Sequence, residues 1–223
     1  MDLDPLEPEA GPWVALDPAG LAERVRALLR RPRAGTGRHT RSLVLVDGRS
    51  GAGKTTLAEM LAQALPAALV HTDDVAWQYR PVDWVDALVA GILDPWQAGV
   101  AVSYRPPGWV QRGRPGAVCV PADTDILVVE GVGAARAALA VRAAACVWVQ
   151  SDRELARHRG IARDIELGRT RSQAEDFWGE WSRFEDPHFA ADRPWERADL
   201  VVDGTARGVD AGVVLVASRP MGR

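Results

Sequence analysis

The chain is almost without lysine. Of its 27 basic residues all but Lys54 are arginine. Cysteine is nearly as scarce. Cys119 and Cys146 show no metal-ligand spacing and lie in apolar stretches, which predicts buried free thiols and a reducing, cytoplasmic setting. No apolar run approaches the roughly 20 residues that a membrane helix needs. The opening MDLDPLEPEAGPW is acidic and proline-bearing, unlike a signal or transit peptide, so no membrane partner is expected. A net charge of -3 leaves no basic surplus to displace counterions from a nucleic acid, which excludes that partner class. The four histidines are scattered without ligand spacing, which argues against an imidazole-built metal centre. What is present, 223 residues with 47% apolar and 26% charged, suits one domain with a lid and a tail.

Residues 1–17 carry acids and prolines but no base, and read as a loosely ordered lead-in. Asp17 and Pro18 are cap and first residue of a helix with Leu21, Val25, Leu28 and Leu29 on one face, stopped by Pro32. A basic, glycine-containing linker follows to residue 41. Beyond it, short apolar runs alternate with helical periods. Strands are expected at Ser42–Val46, Ala68–His71, Asp125–Val129, Ala145–Val149 and Ala198–Val202, with a β tail over Gly212–Ala217. Helices are expected after residue 54, over Trp84–Ala98, over Ala134–Arg142, from Asp152 to about Gly168, and from Ser172 through Phe184. A Pro/Gly-rich loop spans Tyr104–Gly116. This alternation predicts an α/β fold of three layers, with a five-stranded parallel core sheet between helices. The divisions expected are an extension over 1–41, a main domain over 42–204 with an arginine-rich helical lid at about 152–184, and a tail over 205–223.

The first apolar run leads into Gly48-Arg49-Ser50-Gly51-Ala52-Gly53-Lys54-Thr55, which fits G-x-x-x-x-G-K-[ST] at every fixed position. Strand before and helix after are the context such a phosphate-binding loop, or P-loop, requires. Glycines let successive N–H groups turn inward around phosphate oxygens, and the helix N-terminus adds its partial positive charge. The sole lysine stands where the motif places the residue that bridges β- and γ-phosphates, and Thr55 offers a hydroxyl to Mg²⁺. The candidate ATP cradle is therefore Gly48, Ser50, Gly51, Ala52, Gly53, Lys54, Thr55 and Thr56. Without a second lysine there is no Asn-Lys-x-Asp guanine reader, and no LSGGQ-like segment of a transporter ATPase is present. Small-molecule kinases remain. A kinase acting on an alcohol needs a carboxylate beside the attacking hydroxyl. Asp73, after the second strand, is the first choice for it and Asp74 the second. Glu130, after the third strand, suits Mg²⁺ or a substrate hydroxyl.

GRSGAGKTTLA, Asp73-Asp74 after strand two, VVEG after strand three and an R-x-x-x-R-D helix together resemble the uridine kinase / phosphoribulokinase family of P-loop kinases, over roughly residues 42–204. The resemblance implies a P-loop NTPase fold, ATP and Mg²⁺ as cofactors, Asp73 as base, and a lid whose Arg163 and Arg159 close on the phosphates. It implies a small hydroxyl-bearing acceptor, most like uridine or cytidine, held by Asp73, Asp74, Trp77, Tyr104, Arg105 and Glu130, with Trp84 and Trp109 nearby. The family's Asp-x-Phe-Tyr is here Asp73-Asp74-Val75-Ala76-Trp77, so the aromatic has moved. The lid's Arg-Asp…Arg-Gly-Arg is here Arg163-Asp164-Ile165-Glu166-Leu167-Gly168-Arg169, one arginine fewer. An acceptor other than a nucleoside, such as an antibiotic, sugar or vitamin precursor, stays open, as does a nucleotide-binding regulatory module.

Overall fold

The computed structural model describes residues 1–31, 41–77, 83–205 and 213–218. The proline stop at Pro32 and most of the basic linker lie outside them.

The element order opens with β1 (Val14–Leu16) and α1 (Pro18–Leu29). Asp17 accepts from the Gly20 N–H at 2.7 Å and Pro18 occupies the first turn, as the sequence predicts. Then come β2 (Ser42–Gly48), α2 (Lys54–Ala64), β3 (Ala68–His71) and the short α3 (Thr72–Ala76). The expected Trp84–Ala98 helix is α4 (Val85–Leu88), a π-helical turn (Val89–Leu93) and α5 (Asp94–Gln97) in succession, with Trp84, Leu88, Ile92 and Leu93 buried. A two-stranded hairpin, β4 (Val102–Tyr104) and β5 (Val118–Val120), encloses α6 (Pro107–Gln111), in the segment expected to be a loop. There follow β6 (Ile126–Glu130), α7 (Ala137–Ala140), β7 (Ala145–Gln150), α8 (Arg153–Glu166), α9 (Arg171–Asp192), a 3-10 turn (Pro194–Arg197), β8 (Leu200–Asp203) and β9 (Val214–Ser218).

The main sheet runs β1-β9-β8-β7-β2-β6-β3. The five strands from β8 to β3 are parallel, as expected. The outer two add antiparallel, β9 on β8 and β1 on β9. Strands buried on both faces carry continuous apolar runs. In β2, Leu43 and Leu45 join a core under the 84–97 helix and α7, whereas Val44 and Val46 join the opposite core under α1 and α2. Each such valine or leucine, fully withdrawn from water, contributes about 1.5–3 kcal/mol. A third cluster sets Phe189 of α9 edge-on to Trp148 of β7 at 5.2 Å, beside Trp195.

Three expectations are corrected. The acidic lead-in is not loose: Asp4 and Glu7 are buried, and the segment bonds to β7 and to the loop after β2. Cys146 is buried but Cys119 is exposed on β5. The helix expected over Ala134–Arg142 keeps only α7, because the Gly133 and Ala135 N–H groups donate to Asp47.

Candidate active site

β2 delivers the P-loop at the carboxyl edge of the sheet, where open α/β sheets bind ligands. At Gly48 and Gly51 the loop leaves no room for a side chain. At Gly51, with φ +74, a Cβ would lie 2.0 Å from the Ala156 carbonyl in the first turns of α8. Asp47, fully buried, ties the start of the P-loop to the segment after β6: Oδ1 accepts from the Gly48 and Gly133 N–H groups, and Oδ2 from Ala135. Burial nonetheless pushes its pKa up to about 6, against those three bonds and the nearby Lys54. Lys54 is itself buried, and its Nζ donates to the Arg49 carbonyl at 2.7 Å. Gly53, Thr55 and Thr56 face solvent at the start of α2.

β3 and β6 are neighbours in register, so His71 stands opposite Glu130. Gly131 lets them close up, since a Cβ there would meet the Thr72 hydroxyl at 1.8 Å. Glu130 Oε1 receives the Thr55 hydroxyl at 3.2 Å and lies 2.6 Å from His71 Nδ1. That hydrogen bond raises the His71 pKa against the opposing effect of burial. Asp73 stands in the first turn of α3. It keeps an exposed surface, yet desolvation is the largest influence on its carboxyl and raises its pKa. Glu130 acts in the same direction, while Lys54, Arg163 and His71 pull it down. Thr55, Glu130 and His71 are thus joined by hydrogen bonds, and Lys54, Glu130, Arg163 and His71 all lie near enough to act on the Asp73 carboxyl. Paired hard oxygens at Thr55 and Glu130 fit Mg²⁺, which keeps most of its waters and takes few protein ligands.

The other expected residues divide. Arg159 donates to the Gly204 carbonyl at 2.5 Å, at the end of β8. Arg163 bonds to the buried Asp164, which also holds Arg169, a residue beyond the end of α8 rather than on it. Asp74 is engaged by Arg114 at 3.0 Å, and its carbonyl accepts the Trp109 indole N–H. Trp109 and Trp84 are core residues. Tyr104 is half-buried against Gly91, and Arg105 donates to the Arg114 carbonyl. Of the aromatics expected at the acceptor, Trp77 is the exposed one, with Arg112 and Arg114 each 5.0 Å from its ring centroid. Residues 78–82 of that segment lie outside the described residues.

Two residues escaped the sequence reading. His71 offered a signal, a titratable side chain two positions before Asp73. Glu185 offered little, being one acid on a helix rich in them. Its buried carboxylate takes the Ser50 N–H of the P-loop at 3.1 Å and the Trp181 indole at 2.7 Å.

No family model matches the chain, and no curated protein matches it by sequence. Solved structures do. A protein from Silicibacter sp. TM1040, provisionally described as a fructose transport system kinase, superposes with a TM-score of 0.50 at 20% identity, covering 82% of this chain and 95% of that one. The YGR205w protein superposes with a TM-score of 0.52 at 12% identity, covering 81% and 91%. The fold is that of the P-loop kinases. The resemblance read from the sequence holds at this level, a parallel five-stranded core with the phosphate loop after its central strand.

Proposed function

We propose that the chain is an ATP- and Mg²⁺-dependent phosphotransferase acting on a hydroxyl of a small molecule, with a uridine- or cytidine-like nucleoside as the leading acceptor. The observation that supports it is the Thr55–Glu130 hydrogen bond beside the P-loop, with Lys54, Glu130 and Arg163 all acting on the charge of Asp73. Lys54, released from the Arg49 carbonyl, bridges the β- and γ-phosphates. Thr55 and Glu130 would hold Mg²⁺, which when bound would supply positive charge to neutralise those phosphates. The acceptor hydroxyl oxygen forms the new bond to γ-phosphorus, the bond to the β-bridging oxygen breaks, and ADP leaves. Asp73 orients the hydroxyl and takes its proton late in the transfer, and Arg163 steadies charge on the γ-oxygens.

One observation favours the reading of a non-nucleoside alcohol. With Trp84 and Trp109 in the core and Tyr104 half-buried, Trp77 alone of these aromatics is broadly open to a flat ring. ADP release measured with a panel of nucleosides, sugars and other small alcohols separates the two. The Lys54→Ala variant is the control: it stays folded and loses turnover. Equal turnover by folded Lys54→Ala sinks the kinase reading. ATP binding without ADP release on any acceptor favours a regulatory module.

A further inference from the structure

A buried acid of the N-terminal segment, Asp4, holds the phosphate loop. Arg49, the second residue of that loop, is 7% exposed and meets carboxylates from two distant parts of the chain. Its Nη2 donates to Asp4 Oδ2 at 2.8 Å, and its Nη1 to Asp186 Oδ1 at 2.6 Å and to Glu185 Oε1 at 3.4 Å. Phe189 lies beneath the guanidinium at 5.3 Å. The same Arg49 presents its carbonyl to Lys54 Nζ and to the Ala52 N–H. Side chain and main chain of one residue therefore connect Asp4 to the lysine on which phosphate binding depends.

The segment that carries Asp4 is docked along its length. The Asp2 N–H donates to Asp152 Oδ2, and the Asp2 carbonyl accepts from the Arg153 N–H, both at the start of α8. Glu7 Oε1 accepts from the indole of Trp148 and the amide of Gln150, whose Oε1 in turn accepts the Ala10 N–H. The three places it grips are the P-loop, the end of β7 and the first turn of the lid.

We propose that residues 2–10 are a strap that positions the P-loop, with Asp4 as a positioning residue acting on Lys54 through Arg49. A buried guanidinium has a fixed planar set of donors, so carboxylates on its two sides determine where it lies, and with it the loop backbone. Without Asp4 one side of that clamp is open, and Arg49 swings toward Glu185 and Asp186. The Arg49 carbonyl moves with it, and Lys54 loses its fixed acceptor. The inference rests on the nucleotide-binding part of the proposed function, but one of its tests does not.

Lys54 is the only lysine, so the rate at which an amine-directed acylating reagent modifies it without nucleotide, read by mass spectrometry on the peptide that carries it and so apart from the reactive N-terminal amine, reports its environment directly. Asp4→Asn is expected to raise that rate severalfold. Asp4→Glu, which can still reach the guanidinium, is expected to restore most of the protection. ATP affinity, titrated with a fluorescent analogue well below the melting temperature, is expected to fall about tenfold in Asp4→Asn, the loss that a hydrogen bond to a charged group carries. Asp17→Ala controls for stability, because it removes the N-cap of α1 and leaves residues 2–10 and Arg49 as they are. Equal Lys54 reactivity in wild type and folded Asp4→Asn overturns the proposal. So does a rise in Asp17→Ala that matches Asp4→Asn at the same loss of melting temperature. If wild type binds no ATP, the kinase reading fails, and the acylation rates still decide the strap.

Discussion

Asp73 and Asp47 show how position decides what a carboxylate does. Desolvation is the largest influence on Asp73, and with Glu130 it raises the pKa of this carboxyl. If it is the base, the ionised form is the active one. kcat/KM then rises with pH through that raised pKa, so the acid limb of the profile lies above the ordinary aspartate value of 3.8. Asp73→Asn is expected to lower kcat by about 10²–10⁴-fold, as loss of a general base does, and to leave ATP affinity unchanged. Undiminished kcat would make Asp73 merely a first-turn residue of α3. Asp47 has the opposite design, three N–H donors and no solvent. Its pKa is raised from 3.8 to about 6, so its contribution to stability is complete below pH 3.8 and is lost as pH rises through 6. Asp47→Asn turns an amide NH₂ toward a backbone donor and is expected to cost about 1–3 kcal/mol. Because wild type loses its own advantage with rising pH, that deficit is largest at low pH, which denaturant titrations at pH 4.5 and 7.5 check. A deficit that widens with pH contradicts the assignment.

The helices of the lid belong to a larger scale. The sequence expectation ran the second of them from Ser172 through Phe184, short of Pro187. α9 continues through Pro187 to Asp192. Packing overrides the missing N–H there, since Phe189 lies fully buried against Trp148 and Trp195. Glu185 and Asp186 also tie this last part of α9 to the P-loop and to Arg153. If residues 152–184 close as a lid, the part that moves is expected to end before Glu185. Hydrogen exchange is expected to slow in residues 153–180 when Mg²⁺ and a non-hydrolysable ATP analogue bind, and to change little in 185–192. Equal slowing in both parts argues against a hinge at that point. Other elements escaped the sequence for related reasons. The strands β4 and β5 are three residues each, too short for an alternation to register among prolines and glycines.

Across the whole molecule, the central strands and the phosphate loop were legible because their cause is local: an apolar run, a glycine pattern and one lysine. β2, β3, β6 and β7 fall within a few residues of the expected places. What escaped depends on contacts far apart in the chain. Nothing in MDLDPLEPEA says that Asp4 meets Arg49 or that Glu7 meets Trp148. His71 and Glu130 become partners only when β3 pairs with β6. The third core cluster is of the same kind, joining β7, α9 and the 3-10 turn. Phe189→Ala is expected to cost about 3–5 kcal/mol of stability, read from the denaturant midpoint. A loss below about 1 kcal/mol would mean that the cluster collapses around the gap.

The outer edge of the main sheet has a consequence in time. Val14 pairs with Val216 and Leu16 with Val214, so β1, which leads directly from residues 2–10, rests on β9. While the chain is being synthesised, β1 emerges early and waits nearly the whole length of the protein for its partner. Contacts of such sequence separation form late, since the intervening chain must first be ordered. In refolding from denaturant, the parallel strands and their helices should therefore gather first. The acids that hold Arg49 should dock last, and protection of the lysine should lag behind the recovery of tryptophan fluorescence from the buried core.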